Sequence, residues 1–129
     1  MIRVLVADDH PLVRLSLEAV LDDHADLVHC GSADRGDTAV ALARETDADV
    51  VLMDLSMPGL DGISATRQIL ESRPTTRVLM LTWHTEADLV SQALDAGVTA
   101  YLIKDVETSE LLAAIRNTTA DSQVDSRIA

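Results

Sequence analysis

Phenylalanine is absent from this chain of 129 residues, and Trp83 and Tyr101 are its only aromatic residues. The core must therefore be built from Leu, Val, Ile, Ala and Met, which the 47% hydrophobic content supplies. Cysteine occurs once, at Cys30. No internal disulfide can form, which fits a reducing, cytoplasmic setting, and Cys30 is expected as a small core residue on a strand. Lysine also occurs once, at Lys104; the other nine basic residues are arginine, and 22 acidic residues leave a net charge of −12 and a pI near 4.4. Phosphate backbones are held by clustered Lys and Arg, so this balance argues against nucleic-acid binding by the chain itself and against an anionic membrane surface. It suits a site that holds a divalent cation. Long apolar runs are missing as well: none reaches the roughly 18 residues of a membrane span, and no basic lead-in of a secretory signal opens the chain. No internal repeat is visible. The length is that of one domain, large enough to bury about two-thirds of its unfolded surface without staples.

What is present gathers around the stretch VVLMDLSMPGLDG, Val50 to Gly62. A short apolar run reaches Asp54 and then breaks at Met57-Pro58-Gly59, the pattern of a buried strand ending in a loop. A carboxylate at that point is well placed, because ligands of open α/β sheets gather outside the carboxyl ends of the strands.

The rest of the chain repeats the pattern. Ile2 to Ala7 reads as a first strand, closed by Asp8-Asp9, and Pro11 suits the first turn of a helix whose apolar face is Val13, Leu17, Val20 and Leu21. Leu27 to Ala33 is a second strand, and Asp34 is placed to cap an alanine-rich helix running to about Glu45. The third strand, Asp49 to Met53, delivers Asp54, and Asp61 can cap a helix that stops before Pro74. Arg77 to Leu81 is closed by Thr82; Thr85 can cap the fourth helix, which Gly97 is placed to end. Ala100 to Ile103 is closed by Lys104, and Thr108 can cap a last helix with Leu111, Leu112 and Ile115 on its apolar face. From Asn117 the chain turns polar, so residues 1–117 form the domain and 118–129 a tail or the start of a linker.

Strands and helices thus alternate five times at intervals of about 22 to 28 residues. Strands joined by helical crossovers pair in parallel, and uninterrupted apolar strands fit a sheet covered on both faces. The right-handed crossover rule leaves few topologies. The expected fold is α/β: a doubly wound five-stranded parallel sheet in the order 2-1-3-4-5, flavodoxin-like, with strand 1 beside strand 3 at the switch point.

In that sheet five polar residues from four strands meet at one edge: Asp8, Asp9, Asp54, Thr82 and Lys104. Crowded carboxylates resist ionising together, and a divalent cation relieves them. Mg²⁺ prefers oxygen ligands and commonly joins one or two carboxylates to phosphate oxygens. With a lysine ammonium and a threonine hydroxyl alongside, the set is shaped for phosphate, and an aspartate can act as nucleophile toward phosphorus. His10 and His84 are expected as loop residues rather than ligands.

The motifs VADDHPLVR, VLMDLSMPGLDG, LTWH and AYLIKD, at their spacing, resemble the receiver domain of the two-component response regulators, most closely the NarL/FixJ-like subgroup. The resemblance covers residues 1 to about 117. It implies that Asp54 accepts a phosphoryl group from a sensor histidine kinase. Asp9, Asp54 and the backbone carbonyl of Ser56 would ligate Mg²⁺, with Asp8 acting through water. Lys104 would pair with the phosphate, Thr82 would swing toward it, and Tyr101 stands where the family has its aromatic switch residue. The domain would then be no enzyme, only assisting its own phosphorylation and dephosphorylation, and would switch an output or partner, transcription above all. A homodimer would form through the first and last helices or through the strand 5 face.

Three features depart from the family pattern. No helix-turn-helix is seen after the last helix, so the expectation is either that an output domain was cut away or that the protein stands alone. Asp105 replaces the proline often found after the lysine; since a non-proline cis bond costs roughly 2.5–4 kcal/mol, the bond should be trans. Trp83 follows the switch threonine where many receivers keep a small residue, and is expected to cover the approach to Asp54 unless it packs on the fourth helix. Two other classes stay open: a Mg²⁺ phosphohydrolase with an aspartyl nucleophile, disfavoured because Ser56 stands where a second carboxylate is required, and a flavin or nucleotide module, disfavoured because Asp8-Asp9 would repel phosphate. A receiver that works without phosphorylation is the third alternative.

Overall fold

The computed structural model describes residues 1–118, and the expected polar tail over 118–129 lies outside that described range except for its first residue. The elements in chain order are β1 (Ile2–Ala7), α1 (Pro11–Asp22), β2 (Leu27–Ala33), α2 (Gly36–Glu45), β3 (Val50–Met53), α3 (Gly62–Ser72), β4 (Arg77–Thr82), α4 (Ala87–Ala96), β5 (Ala100–Ile103) and α5 (Thr108–Thr118). All strand pairs are parallel, and the sheet order is β2-β1-β3-β4-β5, as the crossover argument required.

Side chains alternate across the sheet and so divide the core in two. Leu5, Ala7, Val51, Met53, Val78, Met80 and Tyr101 face one way and pack with Ala39, Ala43, Ile63, Ile69 and Ala93 of α2, α3 and α4. Val4, Val6, Val50, Leu52, Leu79, Leu81 and Leu102 face the other way and pack with Leu21, Leu111, Leu112 and Ile115 of α1 and α5. Cys30 packs at the margin of the first cluster, and its thiol reaches the Thr46 hydroxyl at 3.5 Å. Of the expected face of α1, Leu21 is buried and Leu17 and Val20 pack against the second cluster; Leu12 and Leu15, which lie outside that face, are exposed.

The helix starts show which local signals prevail. Asp61 caps α3 as expected, its carboxylate accepting from Ser64 N–H at 2.8 Å. Asp34 and Thr85 do not cap: the residues preceding α2 and α4 are Arg35 and Glu86, neither with a side-chain cap. At α2 the reason is tertiary. Gly36 sits against the next loop, where an added Cβ would fall 2.0 Å from the carbonyl oxygen of Leu60, so the helix opens where the chain is bare. At α4 the Glu86 carboxylate is turned toward His84 instead. Thr108 is the first residue of α5 rather than the residue before it. Gly97 closes α4 in the left-handed conformation, with φ 108°. Among the described residues no peptide bond is cis, so Lys104–Asp105 is trans as expected.

Candidate functional site

Each residue predicted at the strand ends is the first or second past its strand, or the strand's last. The main chain is still held by the sheet there: Asp8 N–H donates to Ala33 O at 3.0 Å, Asp54 N–H to Ala7 O at 2.8 Å, and Lys104 N–H to Thr82 O at 2.9 Å. The ladder therefore fixes these side chains relative to one another before any of them makes a contact of its own. Below Asp54, Gly62 lets α3 close in, its N–H donating to Leu55 O at 2.7 Å. A Cβ there would lie 2.2 Å from the Asp54 carbonyl oxygen.

The Lys104 ammonium lies 2.8 Å from Asp8 Oδ2 and 3.4 Å from Asp54 Oδ2, with all three side chains buried. Asp8 is further held by His10, whose main-chain N–H donates to Oδ1 at 2.9 Å, while the Arg14 guanidinium donates to the Asp8 carbonyl at 2.7 Å. These contacts fold the turn between β1 and α1 and leave Asp9 facing the same pocket. Asp9 Oδ1 is buried without a hydrogen bond; His10 Nδ1 is 3.1 Å away, but not in hydrogen-bond geometry. Oxygens of Asp8, Asp9 and Asp54 and a ring nitrogen of His10 all lie within 4.8 Å of one another.

Counted as formal charges, three carboxylates against one ammonium leave a surplus of two negative charges at a partly exposed site. Burial, then the charge of Asp8, push the Asp54 pKa up, and Lys104 opposes them. An orphaned carboxylate oxygen, a surplus of two charges and an oxygen-rich donor set together fit one divalent cation of the Mg²⁺ kind. His10 supplies the only nitrogen, on a side chain that is 67% exposed.

Thr82 is buried, with its hydroxyl accepting from His84 N–H at 3.3 Å. Tyr101 is buried too, and its hydroxyl donates to the His84 carbonyl at 2.8 Å. The sequence pointed to both residues but left out the one that joins them. The His84 ring also reaches across to Ser56, with Nε2 3.0 Å from the hydroxyl, and to Glu86, with Nδ1 at 3.1 Å. A histidine two residues after Thr82 carries no signal of its own; the parallel pairing of β3 with β4 is what sets the two loops side by side. Trp83 takes no part in this network. The residue is 64% exposed and lines a cavity of about 320 Å³ between α1 and α5, together with Leu12, Leu17, Val106 and Lys104.

Residues 4–116 match the family model described as the response regulator receiver domain. The chain is 43% identical over 117 residues to the response regulator UvrY of Escherichia coli (strain K12), covering 91% of this chain and 54% of that protein. It is 42% identical over 116 residues to the transcriptional regulatory protein LiaR of Bacillus subtilis, covering 90% of this chain and 55% of that protein. The chain thus spans about half the length of these relatives. Among solved structures it is similar to the signal receiver domain of the response regulator NarL from Mycobacterium tuberculosis, with a TM-score of 0.86, 34% identity, and 92% of this chain and 96% of that chain covered. No helix among the described residues is long and apolar enough to cross a membrane. A family match over nearly the whole chain, on a sheet whose strand ends carry the predicted acidic pocket, means that this chain belongs to the response regulator receiver family, in its NarL/FixJ-like branch.

Proposed function

We propose that Asp54 is a phosphoacceptor, charged by a sensor histidine kinase or by a small acyl phosphate. The observation that carries this reading is the arrangement of one buried carboxylate between a lysine ammonium and two further carboxylates at the strand ends. In the transfer a carboxylate oxygen of Asp54 forms the new bond to phosphorus as the bond to the donor's nitrogen or oxygen breaks, and the electron pair leaves with the donor. Lys104, already 3.4 Å from Asp54, is placed to neutralise the incoming phosphoryl oxygens. Thr82 would donate its hydroxyl to the product, and Tyr101 would follow the loop. Asp9, Asp54 and the Ser56 carbonyl would hold Mg²⁺, with Asp8 acting through water; the cation would supply charge neutralisation and orientation of the phosphoryl group. On this reading the domain is a phosphoacceptor that assists its own loading and unloading rather than an enzyme acting on free substrates. Its output is proposed as control of transcription, through a second domain or a partner. The domain itself is assigned to residues 1–117.

The pathway of access is assigned to Trp83, which borders Lys104 on the α1–α5 side. Incubation with acetyl phosphate tests both assignments. A single phosphoryl group should be added with Mg²⁺ present and none after chelation, and Trp83→Ala should load and unload faster than the parent. Loading that ignores chelation would contradict the cation assignment, and unchanged rates in Trp83→Ala would contradict the access role.

A further inference from the structure

His84 meets four residues at once. Its Nε2 lies 3.0 Å from Ser56 Oγ and its Nδ1 3.1 Å from a Glu86 carboxylate oxygen. Its N–H donates to the Thr82 hydroxyl at 3.3 Å, and its carbonyl accepts from the Tyr101 hydroxyl at 2.8 Å. A carboxylate can only accept, so in the neutral ring Nδ1 carries the proton and Nε2 is left to accept from the Ser56 hydroxyl. Glu86 thereby sets the tautomer that the Ser56 contact needs. The side chain joins the loop after β3 to the loop after β4, while the main chain holds the two residues assigned to the switch.

We propose that His84 is a positioning residue, a latch that ties the Ser56 loop to Thr82 and Tyr101 and favours the unphosphorylated arrangement. The inference rests on the phosphoacceptor reading of Asp54. The Thr82 hydroxyl, which accepts from the His84 N–H at 3.3 Å, is proposed to turn toward a phosphoryl group on Asp54, and such a turn shifts it relative to that N–H. The two residues are separated by one position in a short loop, so that movement displaces the ring from Ser56. The Tyr101 hydroxyl, bonded to the same residue's carbonyl, moves with it. Loading of Asp54 and the Ser56–His84 bond therefore compete, and the coupling runs through a continuous chain of hydrogen bonds.

Beryllofluoride with Mg²⁺ stands in for the phosphoryl group, and its affinity for the full chain, measured by calorimetry, tests the latch. Ser56→Ala removes the hydroxyl and keeps the main-chain carbonyl; it should tighten binding by roughly threefold to tenfold, the worth of one hydrogen bond. His84→Ala should do the same, and the double variant should be no tighter than either single one. His84→Gln, whose amide oxygen can accept from Ser56, should return to parental affinity. Residues that merely pack would give independent effects that multiply in the double variant, with no rescue by glutamine. That result, or parental affinity in Ser56→Ala, overturns the latch. A parent chain that binds no beryllofluoride at all is a separate outcome: it removes the Asp54 reading and the latch with it.

Discussion

At the scale of single residues, Asp54 is pulled two ways, by burial and Asp8 on one side and by Lys104 on the other. Burial and Asp8 raise its pKa above the ordinary value of 3.8. The folded state therefore holds a proton more tightly than the unfolded state. The stability from this group is full below the unfolded value and is lost as pH rises through the raised one. Above the unfolded value the group therefore opposes folding. Asp54→Asn should accordingly raise the metal-free melting temperature at pH 7, by roughly 2–5 °C, with the gain shrinking as pH falls toward 4. Thermal scans across that range check it, and an asparagine variant that melts lower at pH 7 would contradict it. Asp8, Asp9, Asp54, Thr82 and Lys104 were all legible in the sequence, because each ends an apolar run and the alternation of elements sends every run to the same edge. His84 was not, since its importance comes from contacts to Ser56 and Tyr101 that lie 28 and 17 positions away. The direction of Trp83 was not legible either: a tryptophan after a strand end can turn to either side of the sheet, and here it turns to α1 and α5.

At the scale of elements, the strands were readable to within a residue and the helix caps only in part: Asp61 and Gly97 serve as expected, Asp34 and Thr85 do not. Apolar runs are long-range features of composition, whereas a cap is decided by one side chain in competition with its tertiary neighbours. Asp61 prevailed at α3, but the close approach of Leu60 to Gly36 decided the start of α2. A close contact of the same kind lies at Gly62, directly beneath Asp54. Exchanging a helical glycine for alanine ordinarily gains about 0.5–1 kcal/mol. Here the new Cβ would meet the Asp54 carbonyl oxygen at 2.2 Å and the Leu55 Cα at 2.9 Å, and main-chain atoms cannot turn aside. Overpacking of this sort costs about 1–3 kcal/mol, so the clash outweighs the propensity. Gly62→Ala should lower stability to urea by about that amount and slow loading of Asp54 as well. A variant as stable as the parent would show that α3 does not hold the acceptor loop in the way described.

At the scale of the whole molecule, the sheet order and the two-sided core follow from five βα repeats and the handedness of crossovers. The face of an expected dimer was not legible, because the resemblance offers two and the sequence does not choose between them. The two surfaces differ in charge. Glu86, Asp88, Asp95, Asp105, Glu107 and Glu110 are all exposed along α4, the loop after β5 and the start of α5. Across a two-fold axis these like charges would oppose one another. The α1–α5 side instead exposes Leu12, Leu15 and Trp83. A dimer of the loaded form is expected there: beryllofluoride should increase sedimentation of the parent, and Leu15→Asp should abolish that increase; an unchanged increase would place the contact elsewhere. The central claim is the identity of the acceptor, and intact mass after treatment with acetyl phosphate and Mg²⁺ tests it most directly. The parent chain should gain one phosphoryl group, and Asp54→Asn should gain none. A variant that still takes up the group at the parental level would contradict the account.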